Sequence, residues 1–432
     1  MNVLLLGSGG REHAFAHFIS KSKKLSKLFI APGNAGTQLV GVNVVLNPLD
    51  FQSVWSFITE NQIELVVPGN EDPLVAGVTD FIEAQNSKYG TSVLVAGPSK
   101  YASQLEGSKS FSKDLMSEAG IPTARFKTIN GHNFQEGIQF LDELEAPYVL
   151  KADGLAAGKG VLITDDKNEA QTILSDMIKG EMFGAASSTV VIEEFLKGIE
   201  ISVFVVSDGN NYQILGSAKD YKRIFEGDQG PNTGGMGAIS PVPFADQEFM
   251  DKVKSQIVEP TLKTLQDRGY DYRGFLFLGL MNHNGDPKVI EYNVRMGDPE
   301  TEAIFPRLKT DMLDLLLGIG NKDISSVEFD LDERTAATVF LVSEGYPGTI
   351  EKGRLISGLE AINNDNSFVF HAGTTLKDGM VATNGGRVIA VTSLASDIQN
   401  AVEASMKLAD KIDFQGKFYR KDIGQDLISL QK

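Results

Sequence analysis

The stretch "YVLKADGLAAGKGVLITDD", Tyr148–Asp166, sets a loop carrying Gly154, Gly158, Lys159 and Gly160 between two apolar, β-prone segments. A Walker loop needs four residues between its first glycine and the Gly-Lys pair, then a hydroxyl residue and a helix. Here only three residues separate Gly154 from Gly158, Gly160 stands where Ser or Thr belongs, and "VLIT" is a strand pattern. The loop therefore lies inside a hairpin. A flexible surface hairpin accounts for the glycines but not for Lys151 on the preceding strand. A glycine loop between antiparallel strands can fold down over phosphates, with Lys151 reaching an α- or β-phosphate.

Downstream segments fit the same chemistry. "VIEEFLKGIE", Val191–Glu200, places Glu193 and Glu194 at a strand end beside Phe195 and Leu196, where backbone groups can meet an adenine edge and a carboxylate can meet ribose hydroxyls. Taken alone, such acidic residues are solvated strand ends. In "KVIEYNVRMGDPE", Lys288–Glu300, Glu291 and Asn293 are two apart on a strand and share a face. Two hard oxygen donors on one face suit Mg²⁺, which takes its other ligands from phosphates and water. Arg295 shares that parity if the strand continues, and Gly297-Asp298 turns the chain beside it. An ordinary amphipathic strand is the plain alternative. "AKDYKR", Ala218–Arg223, and the glycine-rich "GPNTGGMGAISP", Gly230–Pro241, lie between these segments.

Upstream, apolar strands alternate with helices. "NVLLLG", "KLFIAPG", "IELVVPG" and "TSVLVAGPS" are strand runs separated by "REHAFAHFISKS", "DFQSVWSFITENQ" and "PLVAGVTDFIEAQ". That alternation predicts a parallel, doubly wound sheet. Its first turn, "GSGGRE", fails as a dinucleotide fingerprint: Glu12 stands where the third glycine belongs, and "FIAPGNAG" offers no acidic residue for a ribose. Backbone N–H groups at the helix start, with Arg11, suit a small phosphate or acidic substrate instead. The turns at Pro32-Gly33-Asn34 and Pro68-Gly69-Asn70-Glu71 fall at the same sheet edge. Further on, "GFLFLGLMNHNGDPKVIEYNV" is a hairpin turned at Asn284-Gly285, and "DMLDLLLGI" is a helix. From about Asp332 short strands and one helix, about Leu394 to Ile412, suggest a small β-rich third domain.

Composition narrows the function. With 432 residues and 42% hydrophobic content the chain can build several cores. A net charge of −17 argues against nucleic-acid partners. The absence of cysteine excludes disulfides and thiolate chemistry, and the five histidines lack an HExxH pattern. "MNVLLLGSGG" is not a signal peptide, and no apolar run reaches the roughly 18 residues of a membrane span. The chain reads as a soluble, cytoplasmic protein without membrane partners.

Taken in order, "LLGSGGREHA", "APGNAGT", "QLEGSK", "LKADGLAAGKGV", "VIEEFL", "GPNTGGMGA", "VIEYNVRMGDPET", "FHAGT", "TNGGRV" and "YRKDIG" resemble the glycinamide ribonucleotide synthetases, the phosphoribosylamine–glycine ligases of the ATP-grasp superfamily. The resemblance covers nearly the whole chain. It departs at Met296, where Phe or Leu is usual, and at "PGNEDPL" in place of "GPEAPL", which blurs the alignment of Glu71. It implies α/β and α+β architecture: an N-terminal Rossmann-like parallel sheet over 1–103, an ATP-grasp module of two lobes over 104–330 with its mobile lobe at about 124–196, and a small β-rich α+β C-terminal domain over 331–432.

It also implies the reaction: ATP, glycine and 5-phosphoribosylamine give glycinamide ribonucleotide, ADP and phosphate through a glycyl phosphate. By resemblance Glu291 and Asn293 hold Mg²⁺, with Mn²⁺ as a substitute. Lys109, Lys151, Gly154, Gly158, Lys159 and Gly160 face the ATP phosphates, and Glu193, Glu194, Phe195, Leu196 and Glu200 frame adenosine. Arg295, Gly297 and Asp298 serve glycine and its acyl phosphate. Gly10, Arg11, Glu12, Asn34, Asp220, Asn232, Thr233 and Gly234 serve phosphoribosylamine, with Arg387 or Arg420 completing its phosphate pocket. The partners implied are small molecules, and a monomer is favoured. Rival readings are an ATP-grasp carboxylase or transformylase of purine synthesis, or a nucleotide-binding regulator without catalysis.

Overall fold

The run Val3–Leu6, every side chain fully buried, becomes β1 (Asn2–Gly7) at the centre of a parallel sheet. Continuous apolar character is what a strand covered on both faces requires. Around it lie β2 (Lys27–Pro32), β3 (Val42–Asn43), β4 (Leu65–Pro68) and β5 (Leu94–Val95), in the order β3-β2-β1-β4-β5. The coordinates form a computed structural model that describes residues 1–155, 160–182, 184–361 and 365–430. The helix expected over "PLVAGVTDFIEAQ" is two helices, Glu71–Ala76 and Val78–Tyr89, because Gly77 adopts φ +100° between them.

The opening hairpin forms as read. It belongs to a four-stranded antiparallel lobe made of β6 (Phe126–Asn130), β7 (Tyr148–Ala152), β8 (Val161–Thr164) and β9 (Thr189–Glu194), ordered β6-β9-β7-β8. Helices Phe134–Glu143 and Lys167–Ile178 cover it, and residues such as Ile129, Leu141, Leu150, Leu174 and Ile192 form a core separate from the main one.

The remaining strands build the body. They are β10 (Ile199–Asp208), β11 (Tyr212–Asp220), the hairpin of β12 (Arg223–Phe225) and β13 (Gln229–Asn232), β14 (Gly237–Ser240), β15 (Arg273–His283), β16 (Asp286–Asn293), β17 (Thr335–Ser343), β18 (Ser367–His371), the hairpin of β19 (Thr374–Lys377) and β20 (Met380–Thr383), β21 (Arg387–Ala395) and β22 (Lys417–Phe418). "STVVIEEFLKGIEISVFVVSDG" yields two strands, but β9 joins the lobe and β10 joins the body, so Leu196–Gly198 is a crossing between sheets. The strands of the small C-terminal domain are hydrogen-bonded to the sheet of the body. Gly237 of β14 pairs with Val339 of β17, and one nine-stranded sheet among the described residues runs β16-β15-β10-β11-β14-β17-β21-β18, with β22 on β17. The helix expected from about Leu394 to Ile412 is Ile398–Ala409, shorter than its apolar pattern suggests, and a further helix, Gln425–Leu430, follows it. Among the described residues no helix is long and apolar enough to cross a membrane.

Candidate functional site

The three regions meet at a cleft of about 580 Å³. One end of it is assembled on the helix Lys109–Ala119. Ser108 caps that helix by accepting from Phe111 N–H at 3.1 Å, which leaves other first-turn N–H groups for the glycine loop. Asp153 takes them: its Oδ1 accepts from Ser110 N at 2.6 Å and its carbonyl from Lys109 N at 3.1 Å. Lys109 Nζ donates to Gly154 O at 3.3 Å, so the start of the loop is tied to the helix end. Burial pulls the Lys109 ammonium below its ordinary range, against the attraction of Glu291. Gly160 lines the cleft on the far side of the loop, while Gly158 and Lys159 lie outside the described residues.

Lys151 points inward, as its strand position requires. It is 5% exposed, donates to Ile290 O at 3.2 Å and pairs with Glu193 Oε2 at 3.0 Å. Glu193 thus has a different partner from the ribose expected in sequence: its carboxylate is buried between Lys151 and Lys113, the latter 3.2 Å away. Glu194 also looks elsewhere, accepting from Arg125 N–H at 3.0 Å, and Phe195 is exposed. Glu200 pairs with Lys222 at 2.7 Å, and that ammonium holds its carboxyl below the usual range.

Glu291 and Asn293 stand opposite Gly279 and Phe277 on the β15–β16 ladder and both line the cleft. Among the described residues no group of three or more His, Cys, Asp or Glu side chains is placed to hold a metal ion. The two oxygens of Glu291 and Asn293 nevertheless fit a hard divalent cation that draws its other ligands from substrate and water. Asn293 Oδ1 accepts from Arg295 Nη2 at 2.9 Å, so a cation there would share or displace that guanidinium, while the buried Nδ2 has no partner.

Arg295 sits beyond the end of β16 but still reaches the same face. Its Nε pairs with Glu71 at 3.1 Å, and its Nη2 with Glu106 at 2.7 Å. Burial would raise Glu71, but Arg295 and Arg11 outweigh it and hold the carboxyl at about 2. Glu106 has less help against its deeper burial, which pushes it up to about 7.

The next loop closes the cleft against the N-terminal sheet. Glu12 Oε2 accepts from Gly9 N–H at 2.6 Å and Glu12 Oε1 from Arg11 Nε at 2.6 Å, so Glu12 shapes the entry to α1 (Gly10–Ile19) from within. Arg11 Nη1 donates to Met296 O at 3.1 Å. Burial works against the Arg11 charge, but Glu12, Glu71 and Asp298 outweigh it. Gly10 has Glu302 where a Cβ would sit; both Glu302 oxygens are buried without partners, and burial raises that carboxyl well above its ordinary range. Gly297 is similarly filled by Glu300.

A second cavity of about 310 Å³ opens between the N- and C-terminal regions, lined by Ser8, Gly9, Asn34, Asp298, Thr374 and Arg387 among others. Asn34 was expected to meet substrate, but its amide is spent on the scaffold. Nδ2 donates to Ser8 O at 2.8 Å and His371 O at 2.7 Å, and Oδ1 accepts from Gly36 and Thr37 N–H. Asp220, Asn232, Thr233 and Gly234 all line the main cleft. Burial raises Asp220, opposed by Lys222. Thr233 is held by donating to Lys222 O at 2.8 Å, and Gly234 N–H donates to the Tyr346 hydroxyl at 2.9 Å. Arg387 lines both cavities, whereas Arg420 is spent on Asp228, Asp422 and the Arg223 carbonyl.

Glu106, Lys113, Lys222, Glu300 and Tyr346 line the cleft without having been singled out for a role. Lys113 follows Lys109 by one helical turn, a spacing legible in sequence. Tyr346 carries no such signal.

Comparison with known proteins agrees along the whole chain. Residues 1–106 match the phosphoribosylglycinamide synthetase N domain, 107–301 its ATP-grasp (A) domain and 336–426 its C domain. The phosphoribosylamine–glycine ligase of Leptospira interrogans is 43% identical over 427 residues, covering 98% of both chains. That of Pseudomonas aeruginosa is 43% identical over 435 residues, covering 100% of this chain and 99% of its own. The crystal structure of phosphoribosylamine–glycine ligase from Thermotoga maritima superposes with a TM-score of 0.83 at 37% identity, covering 98% of this chain and 100% of its own.

Proposed function

The chain belongs to the phosphoribosylglycinamide synthetase family, and from that premise we propose how its cleft performs the ATP-dependent joining of glycine to 5-phosphoribosylamine in purine biosynthesis. A free carboxylate has too poor a leaving group for an amine to displace. The glycine carboxylate oxygen therefore attacks the γ-phosphorus of ATP, the β–γ bridge breaks, and ADP leaves. The phosphoribosylamine nitrogen then attacks the carbonyl of glycyl phosphate; the carbon–oxygen bond to phosphate breaks and nitrogen sheds its proton. Both steps depend on positioning and charge neutralisation.

ATP-grasp enzymes use ATP with a divalent metal. We assign Mg²⁺, with Mn²⁺ as a substitute, to Glu291 and Asn293; when bound it neutralises charge on the transferring phosphoryl group. Lys109 and Lys151 hold ATP phosphates beneath the loop that starts at Gly154 and ends at Gly160. Glu193–Leu196 frame adenine through their backbone, and Glu200 faces the ribose. Arg295, fixed by Glu71 and Glu106, orients glycine with Gly297 and Asp298. Gly10, Arg11, Asp220 and Asn232–Gly234 bind phosphoribosylamine, Arg387 meets its phosphate, and Glu12 and Asn34 hold the loops that form this pocket. The separate core of the lobe supports its closing over an acyl phosphate that water would destroy.

The observation that carries this reading is the convergence of Lys109, Lys151, Glu291 and Asn293 on one cleft whose other end holds Arg295, Asp298 and Arg387. We propose a monomeric, cytoplasmic enzyme. Product analysis with ATP, Mg²⁺, labelled glycine and freshly generated phosphoribosylamine tests it. Glycinamide ribonucleotide with one ADP released per bond is expected. Ligation without ATP cleavage, or turnover with bicarbonate or formate in place of glycine, would overturn it.

A further inference from the structure

Lys113 is a buried charge that the reaction above does not use. It is 1% exposed, its Nζ donates to Thr123 Oγ1 at 2.7 Å and lies 3.2 Å from Glu193 Oε2, and the Phe126 ring centroid is 5.5 Å away. The same Glu193 oxygen lies 3.0 Å from Lys151 Nζ. Both ammonium groups are also tied to the metal strand β16: Thr123 Oγ1 donates to Val289 O at 2.7 Å, and Lys151 Nζ to Ile290 O at 3.2 Å. Two cations therefore share one carboxylate oxygen in a site where one would neutralise it, while Glu193 Oε1 has no partner. Each lysine makes a hydrogen bond besides its contact with Glu193, so the two differ in their surroundings. Lys113 is anchored by Thr123 and walled by Phe126, whereas Lys151 borders the glycine loop on β7.

We propose that Lys113 is a positioning residue that keeps Glu193 neutralised, so that Lys151 is free to turn from Glu193 to a phosphate of ATP. The proposal rests on the reading of Lys151 as a phosphate ligand. Without Lys113, each move of Lys151 to phosphate strands an ionised carboxylate in a buried site, a cost that comes directly out of ATP affinity.

Calorimetric binding of a non-hydrolysable ATP analogue with Mg²⁺, on the full chain, tests this with Lys113→Met, Lys151→Met and the double variant Lys113→Met/Glu193→Gln. Lys113→Met is expected to bind on the order of a hundredfold more weakly. The double variant should recover at least roughly tenfold of that loss, because a neutral amide in place of the Glu193 carboxylate no longer detains Lys151. If Lys113→Met does not fold, Lys113→Gln, which retains a bond to Thr123 without charge, carries the same comparison. Unchanged affinity in the Lys113 variant, or a double variant no tighter than the single, overturns the proposal; the latter result assigns Lys113 a direct nucleotide contact or a purely structural part. Unchanged affinity in Lys151→Met instead refutes the phosphate reading of Lys151 and leaves the two failures distinct.

Discussion

Arg387 and Asp298 meet across a gap of eighty-nine residues: Nη1 of Arg387 donates to the Asp298 carbonyl at 2.8 Å, and Nη2 stands 2.9 Å from Asp298 Oδ1 in an ion-pair contact whose angle does not make it a hydrogen bond. Asp298 Oδ2 faces the other way and accepts from Arg11 N–H at 3.4 Å. A C-terminal cation, the loop after β16 and the first helix thus share one junction between the two cavities. Replacing Arg387 by Met should raise the KM for phosphoribosylamine by roughly ten- to a hundredfold, the loss of one or two hydrogen bonds to a charged group. ATP affinity should stay within a few-fold. Arg420→Met should leave both constants near wild type and lower thermal stability, since Arg420 is buried against Asp228 and Asp422. Steady-state kinetics of the two variants side by side decide the matter; an Arg420 variant with the larger substrate defect would reverse the assignment.

Glu291→Ala should reduce turnover by about 10³-fold at saturating Mg²⁺, on the scale set by losing a group that acts on transition-state charge. The fold should survive, because Glu291 is only half-buried and lacks the packing role of its neighbour Tyr292. Titrating Mg²⁺ or Mn²⁺ against rate checks the role: the variant should need a higher metal concentration as well as running slowly. A variant that keeps its rate at low metal would refute the metal assignment.

How much of this was legible depends on the distance over which each feature is decided. The Asn284-Gly285 turn was readable because its backbone demands are local: φ is +54° at Asn284 and +89° at Gly285, a geometry those two residues tolerate. The shared face of Glu291 and Asn293 followed from strand parity alone. The assignment of β9 and β10 to different sheets, and the pairing of β14 with β17, depend on which distant strand each one meets, and no local pattern encodes that. The partnership of Glu193 with two lysines is hidden for the same reason. Asn34 misled because a polar residue at the carboxyl edge of a parallel sheet looks free for a ligand; only the fold reveals that Ser8 and His371 already occupy it.

Arg11 combines structure with function in a way that its variant should expose. Its side chain links Glu12 to the Met296 carbonyl, so Arg11→Met leaves Glu12 buried with the Gly9 N–H as its remaining tie. Breaking such a pair costs about 3–5 kcal/mol. Denaturant unfolding should register a loss on that scale, together with a raised phosphoribosylamine KM and nearly unchanged ATP binding. Arg11→Lys should rescue little, because a single ammonium cannot replace the fork that reaches both partners. Rescue by Lys would mean that charge alone matters.

The histidines where α1 meets the C-terminal region should make stability depend on acid pH. His17 is held down to about 4 by burial and by Lys21, and its buried Nε2 has no partner. His371 is held to about 4 by burial, and His13, whose Nδ1 accepts from His371 N–H at 2.7 Å, lies well below its ordinary value for the same reason, with His371 and His17 adding to it. In the unfolded chain these rings titrate near the ordinary 6.5. Between that pH and about 4 the unfolded state binds more protons, so stability rises with pH through the window and is lost as pH falls from 6.5 toward 4. His17 is ringed by Phe18, Phe368 and Phe370, so His17→Phe removes one of the three titrations in surroundings that accept an aromatic ring. The variant should gain on wild type as pH falls, by about 2 kcal/mol at about pH 5 relative to the difference at about pH 8. Urea unfolding at both pH values measures this directly. A difference that stays constant with pH would show that His17 titrates alike in the folded and unfolded chains.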